Sequence, residues 1–310
     1  MKTITRATVF IAILLLTQYV TLFFAHKAKA TTYDVQTYPE NKCLDFTVAD
    51  QRIDCGYSAI FQAATLTIEA WVKPKYNVQI GSDSPSSYGH HYGCIVTLRQ
   101  AGTWNSGWYF GFDYATGFLF FTIDSNPIPL HSNSCNWYND SWYYVAVTYD
   151  PALPQDNIVF YVNGTVNSHY NISSAIVYNN PQLNIGMQSG NPGNAYLGLI
   201  DEVRIWNASR TQTEIQSTWN RTLNDPTETA NPNLVGYWRF DNLIHGNYPD
   251  YSIYSNDAVP AVAPEQFEPG APIVPEFSPI LVMLVLATSS LSAILLRRRL
   301  RKVNPASFKT

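Results

Sequence analysis

The sequence predicts an all-β fold: a sandwich of two antiparallel sheets that carries one short helix. Aromatic residues make up 14% of the 310 residues and include 21 tyrosines, and aromatic side chains favour strands. Short runs in which apolar residues alternate recur between turn residues, which is the pattern of a sandwich. No long segment repeats apolar residues at the spacing of an amphipathic helix.

The predicted strands follow one another between residues 43 and 240. Leu66–Lys73 alternates most clearly, with apolar residues on one side and Glu69 on the other. The helix is predicted over Gln212–Asn220, because residues 211–214 (TQTE) have the spacing of a capping box. The other predicted strands are Cys43–Phe46, Cys94–Leu98, Trp108–Asp113, Gly117–Ile123, Trp142–Tyr149, Ile158–Asn163, Leu183–Gly186, Leu197–Trp206 and Leu234–Phe240.

Residues 197–206 (LGLIDEVRIW) form the most informative predicted strand. Strict alternation places Leu199 and Val203 on the core side and Glu202 on the other. Asp201 then falls on the core side, where a carboxylate is costly unless it accepts hydrogen bonds or binds a cation. We therefore expect Asp201 to be a structural carboxylate that accepts backbone N–H groups. A cation ligand and a catalytic acid are the alternatives.

The two ends of the chain are apolar and basic, and both predict membrane targeting. Met1–Ala30 begins with Lys2 and Arg6, continues as an apolar run and ends in Ala-Lys-Ala, which predicts a cleaved secretory signal peptide. An uncleaved membrane anchor is the alternative for this segment. Residues 279–296 are predicted to form a transmembrane helix, and residues 297–310 a basic cytoplasmic tail.

The middle of the chain is therefore predicted to be extracellular. Residues 31–258 form the predicted ectodomain, and residues 259–278 a proline-rich linker to the membrane. Residues 31–277 hold all 23 acidic residues but only nine of the 19 basic ones. Such a negative surface repels nucleic acid and anionic lipid headgroups, so we expect neither of them as a partner.

Five motifs follow one another across the predicted ectodomain, and their order resembles the LamG-like jelly roll of the concanavalin A-like lectin/glucanase superfamily. The resemblance covers residues 43–258 and implies a two-sheet jelly roll. It specifies the fold better than the function, because this fold hosts lectins, hydrolases and adhesion modules. The motifs are LTIEAWVKP (Leu66–Pro74), SWYYVAVTYD (Ser141–Asp150), IVFYVNGT (Ile158–Thr165), YLGLIDEVRIWNASRT (Tyr196–Thr211) and LVGYWRFDN (Leu234–Asn242) with DYSIYSNDA (Asp250–Ala258).

Residues 274–280 (VPEFSPI) stand directly before the C-terminal apolar run. A Pro-Glu-Phe tripeptide, an apolar helix and an arginine cluster in this order resemble the C-terminal sorting signals of archaeal surface proteins. That resemblance implies cleavage near the tripeptide by an archaeosortase-type enzyme and attachment of a lipid. We expect the ectodomain to be anchored at the outer face of the cell membrane through either the helix or the lipid.

Glycosidases of this fold commonly carry a Glu-x-Asp-x-x-Glu pattern, because hydrolysis needs two carboxylates around the sugar bond. Around Asp201 this pattern requires acids at Leu199 and Arg204, and neither residue is one. Glu202 adjoins Asp201 and is expected on the other face of the strand, and Glu69 is the lone acid of its strand. The sequence therefore predicts a protein that binds rather than reacts, and it assigns no catalytic residue.

Loops at one rim of the sandwich are the predicted ligand site. The loop Pro74–Gly93 is long and polar, and loops of this length are usually functional. Tyr88, Tyr92 and Trp104 lie in or beside loops and are predicted to stack on sugar rings, whereas most other aromatic residues are expected to pack the core. The resemblance also implies calcium as a cofactor at the rim, with the candidate ligands Asp241, Asp250 and Asp257.

The cysteines and asparagines suggest covalent sites of an exported protein. The four cysteines show no Cys-x-x-Cys spacing, which argues against zinc. Two disulfides are expected outside the cell, and the nearness of the first pair in sequence favours Cys43–Cys55 together with Cys94–Cys135. The Asn-x-Ser/Thr sequences predict glycosylation at Asn139, Asn163, Asn171, Asn207 and Asn220.

Together these features predict a non-catalytic recognition module at the cell surface. Its expected partner is a glycan or a neighbouring surface protein, and calcium is a candidate cofactor. A secreted glycoside hydrolase of the same fold and a structural component of the cell envelope are the two alternatives. A pair of carboxylates in a groove would favour the hydrolase.

Overall fold

The computed structural model describes residues 41–273 except residues 49, 76–91, 103–105, 124–125, 136, 138–140 and 268. Over these residues it confirms the sandwich of antiparallel sheets. The strands are β1 (Cys43–Phe46), β2 (Arg52–Asp54), β3 (Leu66–Pro74), β4 (Tyr92–Arg99), β5 (Trp108–Asp113), β6 (Phe118–Ile123), β7 (Asn126–His131), β8 (Tyr143–Tyr149), β9 (Ile158–Val162), β10 (Thr165–Tyr170), β11 (Gln182–Ile185), β12 (Gly198–Trp206), β13 (Leu234–Trp238), β14 (Val259–Val262) and β15 (Glu265–Phe267). The α-helices are α1 (Gln212–Thr218) and the single turn α2 (Pro226–Thr229).

The two sheets are assembled from strands that are far apart in sequence. The first sheet has eight strands in the order β10-β9-β8-β3-β12-β1-β15, and β13 also pairs with β12. The second sheet has seven strands in the order β14-β2-β11-β4-β5-β6-β7. The strand β12 therefore lies between β3 and β1. It comes late in the sequence, whereas both of its neighbours come early.

The hydrophobic core fills the space between the inner faces of the two sheets. Ile68 and Val147 from the first sheet belong to one buried cluster with Phe110 and Phe121 from the second sheet. All four side chains are fully buried. Because side chains alternate along a strand, the residues between the core residues point to the outer faces of the sheets. Side chains that bind a ligand are therefore expected on these outer faces.

The strand β12 departs from the alternation that the sequence predicts. Its pairing with β3 shifts register between Asp201 and Arg204, and Glu202 has a φ of 51°, as expected at a β-bulge. Asp201 pairs with Trp71, which packs in a separate cluster with Ile215 of α1. Asp201 therefore faces away from the core. The prediction that it faces the core is wrong, because the bulge shifts the phase of the alternation.

The sandwich continues into the segment that the sequence assigns to a linker. The strand β14 pairs with β2 at the edge of the second sheet, and β15 pairs with β1 at the edge of the first. Proline is tolerated on edge strands because one side of the backbone needs no partner. Residues 259–273 therefore belong to the folded domain, whose boundary lies beyond the predicted residue 258.

The four cysteines are not disulfide-bonded in the structure, so it lacks the predicted disulfides Cys43–Cys55 and Cys94–Cys135. Cys43 belongs to the first sheet, whereas Cys55 follows β2 of the second sheet. Cys94 lies on β4, whereas Cys135 follows β7 and contacts the side chain of Asn167 (3.4 Å).

No helix among the residues described above is long and apolar enough to span a membrane. The predicted signal peptide, Met1–Ala30, and the predicted transmembrane helix and tail, residues 279–310, lie outside the described residues. The sorting motif at residues 274–280 also lies outside them, so all four features stay predictions.

Candidate functional site

The outer face of the second sheet carries a row of aromatic side chains on β4, β5 and β6. Tyr92 lies with its ring centroid 4.7 Å from that of Phe120, and Phe120 lies 5.2 Å from Tyr109, nearly parallel to it at 21°. We call these three residues the ring stack. Phe120 and Tyr109 are buried, whereas Tyr92 is partly exposed. Tyr92 is thus the ring that a ligand can reach.

A glycine makes room for the ring stack. Gly111 pairs with Phe120 across β5 and β6. A Cβ atom at this position would lie 2.7 Å from the Phe120 ring and 2.4 Å from the carbonyl oxygen of Gly93. Since both distances are far below van der Waals contact, only glycine lets the Phe120 ring lie over the sheet.

Polar groups stand beside the ring stack. The Asp113 carboxylate accepts hydrogen bonds from the N–H of Ala115 (2.9 Å) and the hydroxyl of Thr116 (2.8 Å). Its second oxygen lies 3.4 Å from Nε2 of His131, whose side chain is 30% exposed. Burial and the nearby Asp113 raise the pKa of Tyr92. The Tyr92 hydroxyl therefore stays protonated and can donate a hydrogen bond.

Two buried amides lie on the same face of the second sheet. The side-chain oxygen of Asn184 and both polar atoms of the Asn194 side chain find no hydrogen-bond partner among the described residues. The Asn194 backbone carbonyl accepts from the hydroxyl of Tyr109 (3.3 Å), which places this amide next to the ring stack. Buried amide groups normally have hydrogen-bond partners. This face therefore carries donors and acceptors that form no hydrogen bond within the described residues.

The structure brings one of the three predicted sugar-stacking residues into this site. Tyr92 is the exposed member of the ring stack, and the other two, Tyr88 and Trp104, lie outside the described residues. Phe120 and Tyr109 were not predicted, because β5 and β6 are aromatic on both faces and the sequence does not reveal which face is outward.

The predicted calcium ligands accept hydrogen bonds from backbone N–H groups in this structure. Asp241 accepts from the N–H of Lys42 (3.0 Å), and Asp257 accepts from the N–H of Asp250 (3.0 Å). Asp250 itself accepts from three backbone N–H groups and the hydroxyl of Ser252. Among the described residues, no group of three or more His, Cys, Asp or Glu is placed to hold a metal ion.

The outer face of the first sheet carries a buried network of charges instead. Arg204 donates to Glu202 (2.8 Å) and lies 3.6 Å from Glu69, and Arg210 also donates to Glu69. Burial opposes the charge of Arg204, but Tyr237, Glu202 and Glu69 raise its pKa. The four charged side chains are at least nine-tenths buried, so they are not open to substrate.

Asp201 lies at the edge of this network. One carboxylate oxygen accepts the backbone N–H of Glu202 (2.8 Å), and the other accepts that of Ala271 (2.8 Å). Burial, and then the charge of Glu202, raise its pKa well above the ordinary value. Asp201 thus ties the C-terminal segment of the domain to the bulge in β12.

The predicted glycosylation sites differ in exposure. Asn163 and Asn171 are exposed, and their side-chain oxygens accept backbone N–H groups from Tyr144 and Asp156. Asn207 and Asn220 are half-buried, and Asn139 lies outside the described residues.

A laminin G family model, described as the concanavalin A-like lectin/glucanases superfamily, matches residues 47–216. The chain belongs to this superfamily. The matched range begins after β1 and ends within α1, so β1, β13, β14 and β15 lie outside it. In this superfamily member, strands from beyond the matched range therefore complete both sheets.

Solved structures share the superfamily fold with this chain. A candidate carbohydrate binding protein from Bacteroides ovatus superposes with a TM-score of 0.56 at 18% identity, over 76% of this chain and 61% of that one. The chain therefore spans about three fifths of the length of that protein. A SAP-like pentraxin from Limulus polyphemus has a TM-score of 0.41 at 12% identity, over 61% of this chain and 85% of that one.

A third similar structure is the CBM40 of an IT-sialidase from Ruminococcus gnavus bound to α2,3-sialyllactose. Its TM-score is 0.42 at 11% identity, over 57% of this chain and 96% of that one. The 18% identity to the Bacteroides ovatus protein, at a TM-score of 0.56, shows the fold alone. A search of the curated proteins finds no sequence that matches the chain.

Proposed function

We propose that this superfamily member is a non-catalytic glycan-binding module whose ligand lies against the ring stack. The observation that carries the proposal is the position of Tyr92, which is partly exposed and rests 4.7 Å from the buried Phe120. The apolar face of a sugar ring packs well on an aromatic surface. The imidazole of His131, whose side chain is 30% exposed, stands beside this surface and offers a polar group to the sugar hydroxyls.

The family supports a binding role for the domain. The superfamily description names lectins and glucanases, and the Bacteroides ovatus protein is described as binding carbohydrate. Both descriptions belong to the relatives, and the ring stack supports the same role for this chain. A neighbouring surface protein, presented through its glycans or directly, is the alternative partner.

A glycoside hydrolase remains the runner-up, and the placement of acids argues against it. A hydrolase needs two carboxylates that reach the sugar bond, about 5–10 Å apart. Glu69 and Glu202 are buried and ion-paired on the other sheet. Beside the ring stack, the carboxylate of Asp113 is engaged by the turn that follows β5.

The proposal includes a location and a cofactor to be tested. A signal peptide before residue 31 and an anchor after residue 273 would display the domain at the outer face of the cell membrane. Calcium is a candidate cofactor, as in many domains that bind it at a rim through oxygen ligands. The experiment below is therefore run in the presence and in the absence of calcium.

The test is a glycan array probed with residues 31–273 and with the Tyr92→Ala variant. We expect a defined group of glycans to bind the wild-type domain. Tyr92→Ala should weaken that binding by up to about tenfold, because this factor corresponds to the free energy of one aromatic contact. Tyr57→Ala is the matched control, because Tyr57 is 54% exposed and lies outside the ring stack. Undiminished binding by Tyr92→Ala would refute the ring-stack site.

A further inference from the structure

An aromatic cluster lies on the outer side of the first sheet, next to the place where the described domain ends. Six of its side chains are buried, four more are partly exposed, and all ten are uncharged. We call it the cluster around Trp71. Its buried members are Trp71, Tyr144, Ala146, Tyr161, Ile215 and Ala271, and its partly exposed members are Trp142, Val159, Trp219 and Ile273.

The indole of Trp219 is held on the surface of this cluster by its neighbours. It stacks on Trp71 with 5.7 Å between the ring centroids and meets Tyr144 edge-on at 6.0 Å. Nε1 of Trp71 donates to the backbone carbonyl of Trp219 (2.9 Å). Gly164 has a φ of 72°, and a Cβ atom there would lie 3.0 Å from the Trp219 ring. The partly exposed indole is therefore held in one place.

The end of the described domain brings this cluster close to either of the predicted anchors. Ile273 is the last described residue and packs against the cluster. The predicted transmembrane helix begins at residue 279, and the chain from 273 to 279 spans at most about 20 Å when fully extended. A lipid attached near residues 275–277 would lie closer still. Both anchors therefore hold the cluster beside the membrane surface.

The exposed side chains have the chemistry of a membrane interface. Tryptophan is enriched there, because its ring is apolar while its N–H group is polar, and Trp142 and Trp219 are the partly exposed rings of the cluster. Residues 31–277 hold 23 acidic and nine basic residues, so anionic headgroups would repel the domain. An uncharged cluster suits zwitterionic or uncharged headgroups instead.

The exposed part of the cluster is too small to hold a soluble protein partner. A stable interface between proteins takes about 20–30 residues from each side, whereas four partly exposed side chains belong to the cluster among the described residues. A membrane requires less contact, because the anchor makes the contact intramolecular and raises its effective concentration to roughly the millimolar range.

We propose that the cluster around Trp71 docks on the headgroup region of the membrane, with Trp142 and Trp219 against zwitterionic or uncharged lipid. The inference rests on the membrane anchor of the proposed function, and it does not require a sugar on the ring stack. It adds an orientation to that function: the first sheet lies against the lipid, and the second sheet faces away from it.

The test is the quenching of tryptophan fluorescence by brominated phosphatidylcholine in vesicles that carry the full chain. All eight tryptophans lie between residues 71 and 238, and the predicted anchor contains none, so quenching reports contact between the domain and the lipid. We expect the wild-type chain to be quenched, and a chain with both Trp142→Phe and Trp219→Phe to lose most of this quenching. Trp137→Phe is the matched control, because Trp137 is 5% exposed and belongs to the core between the sheets. It should be quenched like wild type.

Three outcomes overturn the inference. The first is a vesicle-bound chain that shows no quenching, as when a second copy covers the cluster. The second is equal quenching of the wild type and the double variant. The third is a full chain that does not float with the vesicles, because the anchor itself would then be refuted. The glycan array tests the ring stack separately, so the failure of one proposal is distinguishable from the failure of the other.

A second variant covers the case in which the double variant disturbs the fold. Val159 is partly exposed at the cluster, and Val159→Asp places a charge there while leaving both tryptophans as reporters. A carboxylate is costly to remove from water, so this variant should lose most of the quenching. An unchanged thermal midpoint shows that it folds, and quenching at the wild-type level by the folded variant would overturn the inference.

Discussion

Asp241 is buried near Glu202, and its carboxylate accepts the backbone N–H of Lys42 (3.0 Å). Burial is the largest influence on its pKa, which rises from 3.8 to about 6, although the Lys42 hydrogen bond acts in the other direction. The folded chain therefore holds this proton more tightly than the unfolded chain. By linkage, the contribution of Asp241 to the free energy of unfolding falls as the pH rises from 3.8 to about 6.

Asp241→Asn should stabilise the chain above about pH 6 and flatten this part of its pH profile. The amide keeps an oxygen for Lys42 but carries no charge to desolvate. The gain at neutral pH is at most about 3 kcal/mol, since one pKa unit corresponds to about 1.4 kcal/mol. Urea unfolding of both chains at about pH 5 and about pH 7 measures it.

The matched control for this measurement is Asp225→Asn. Hydrogen bonds from Thr227 lower the pKa of the exposed Asp225 carboxyl, so its contribution to stability is lost as the pH falls, which is the opposite sign. If wild type and Asp241→Asn showed the same pH profile, Asp241 would have to titrate equally in the folded and unfolded chains, and our explanation would fail.

Arg204 is the cation on which the buried network depends. Its side chain is 1% exposed, and it contacts the buried Glu69 and Glu202. Arg204→Met would leave these carboxylates without a principal partner, and we expect a loss of about 3–5 kcal/mol in the free energy of unfolding. Arg221→Met is the control, because the pair of Arg221 and Glu228 is partly exposed and should contribute no more than about 1 kcal/mol.

Urea unfolding followed by tryptophan fluorescence distinguishes the two arginines. If Arg204→Met and Arg221→Met lowered the free energy of unfolding equally, burial would not determine how much these ion pairs contribute to stability. No catalytic readout is needed, since the predicted effect is on stability alone.

At the scale of elements, runs of apolar and aromatic residues between turn residues predicted most of the long strands. The bounds of β1 and β5 agree with the prediction, and the capping box at Thr211 and Glu214 is present at the start of α1. Alternation failed at β12, because a period of two assumes no extra residue and the bulge at Glu202 adds one. It also missed β2, β7, β10, β14 and β15, which are short, polar or proline-containing edge or near-edge strands.

The members of the ring stack were predicted to different degrees for a physical reason. Tyr92 could be proposed because it adjoins a long polar loop. Its partner Phe120 could not be proposed, because β5 and β6 are aromatic on both faces. Alternation then does not reveal which residues point away from the core.

Gly111→Ala tests how β5 and β6 support the ring stack. The added methyl group would overlap the Phe120 ring and the Gly93 carbonyl, so the ring must move and Tyr92 must lose its support. We expect a destabilisation of about 1–3 kcal/mol, as for other overpacked sites, and weaker glycan binding. Thermal melts and the glycan array measure the two effects, and a variant with wild-type values in both would contradict this role of Gly111.

At the scale of the whole molecule, the ends of the described domain meet on one side. Asn41 donates its side-chain amide to the carbonyl of Ala271 (2.7 Å), and the N–H of Gly270 donates to the Asn41 carbonyl (2.8 Å). Ala271 packs with Trp71 on the outer side of the first sheet, whereas the ring stack lies on the outer side of the second. An anchor that follows residue 273 would therefore leave the ring stack facing away from the point of attachment.

The C-terminal segment is also expected to hold the sandwich together. In this segment, β15 pairs with β1, Ala271 and Ile273 pack in the cluster around Trp71, and the Ala271 N–H donates to the buried Asp201. A chain that ends at residue 263 leaves Asp201 without this donor, which alone costs about 1–3 kcal/mol. We expect it to unfold at a lower urea concentration than a chain that ends at residue 273.

A point variant separates the hydrogen bond from the rest of the segment. Ala271→Pro removes the N–H that Asp201 accepts while the strand β15 keeps its place, so it should reproduce part of the loss that the shorter chain shows. If both changed chains unfolded at the same urea concentration as the chain ending at residue 273, the segment would be an appendage rather than part of the sandwich. In that case β14 would be the last segment that the fold holds in place. The fold would then no longer determine how the ring stack is oriented relative to the anchor.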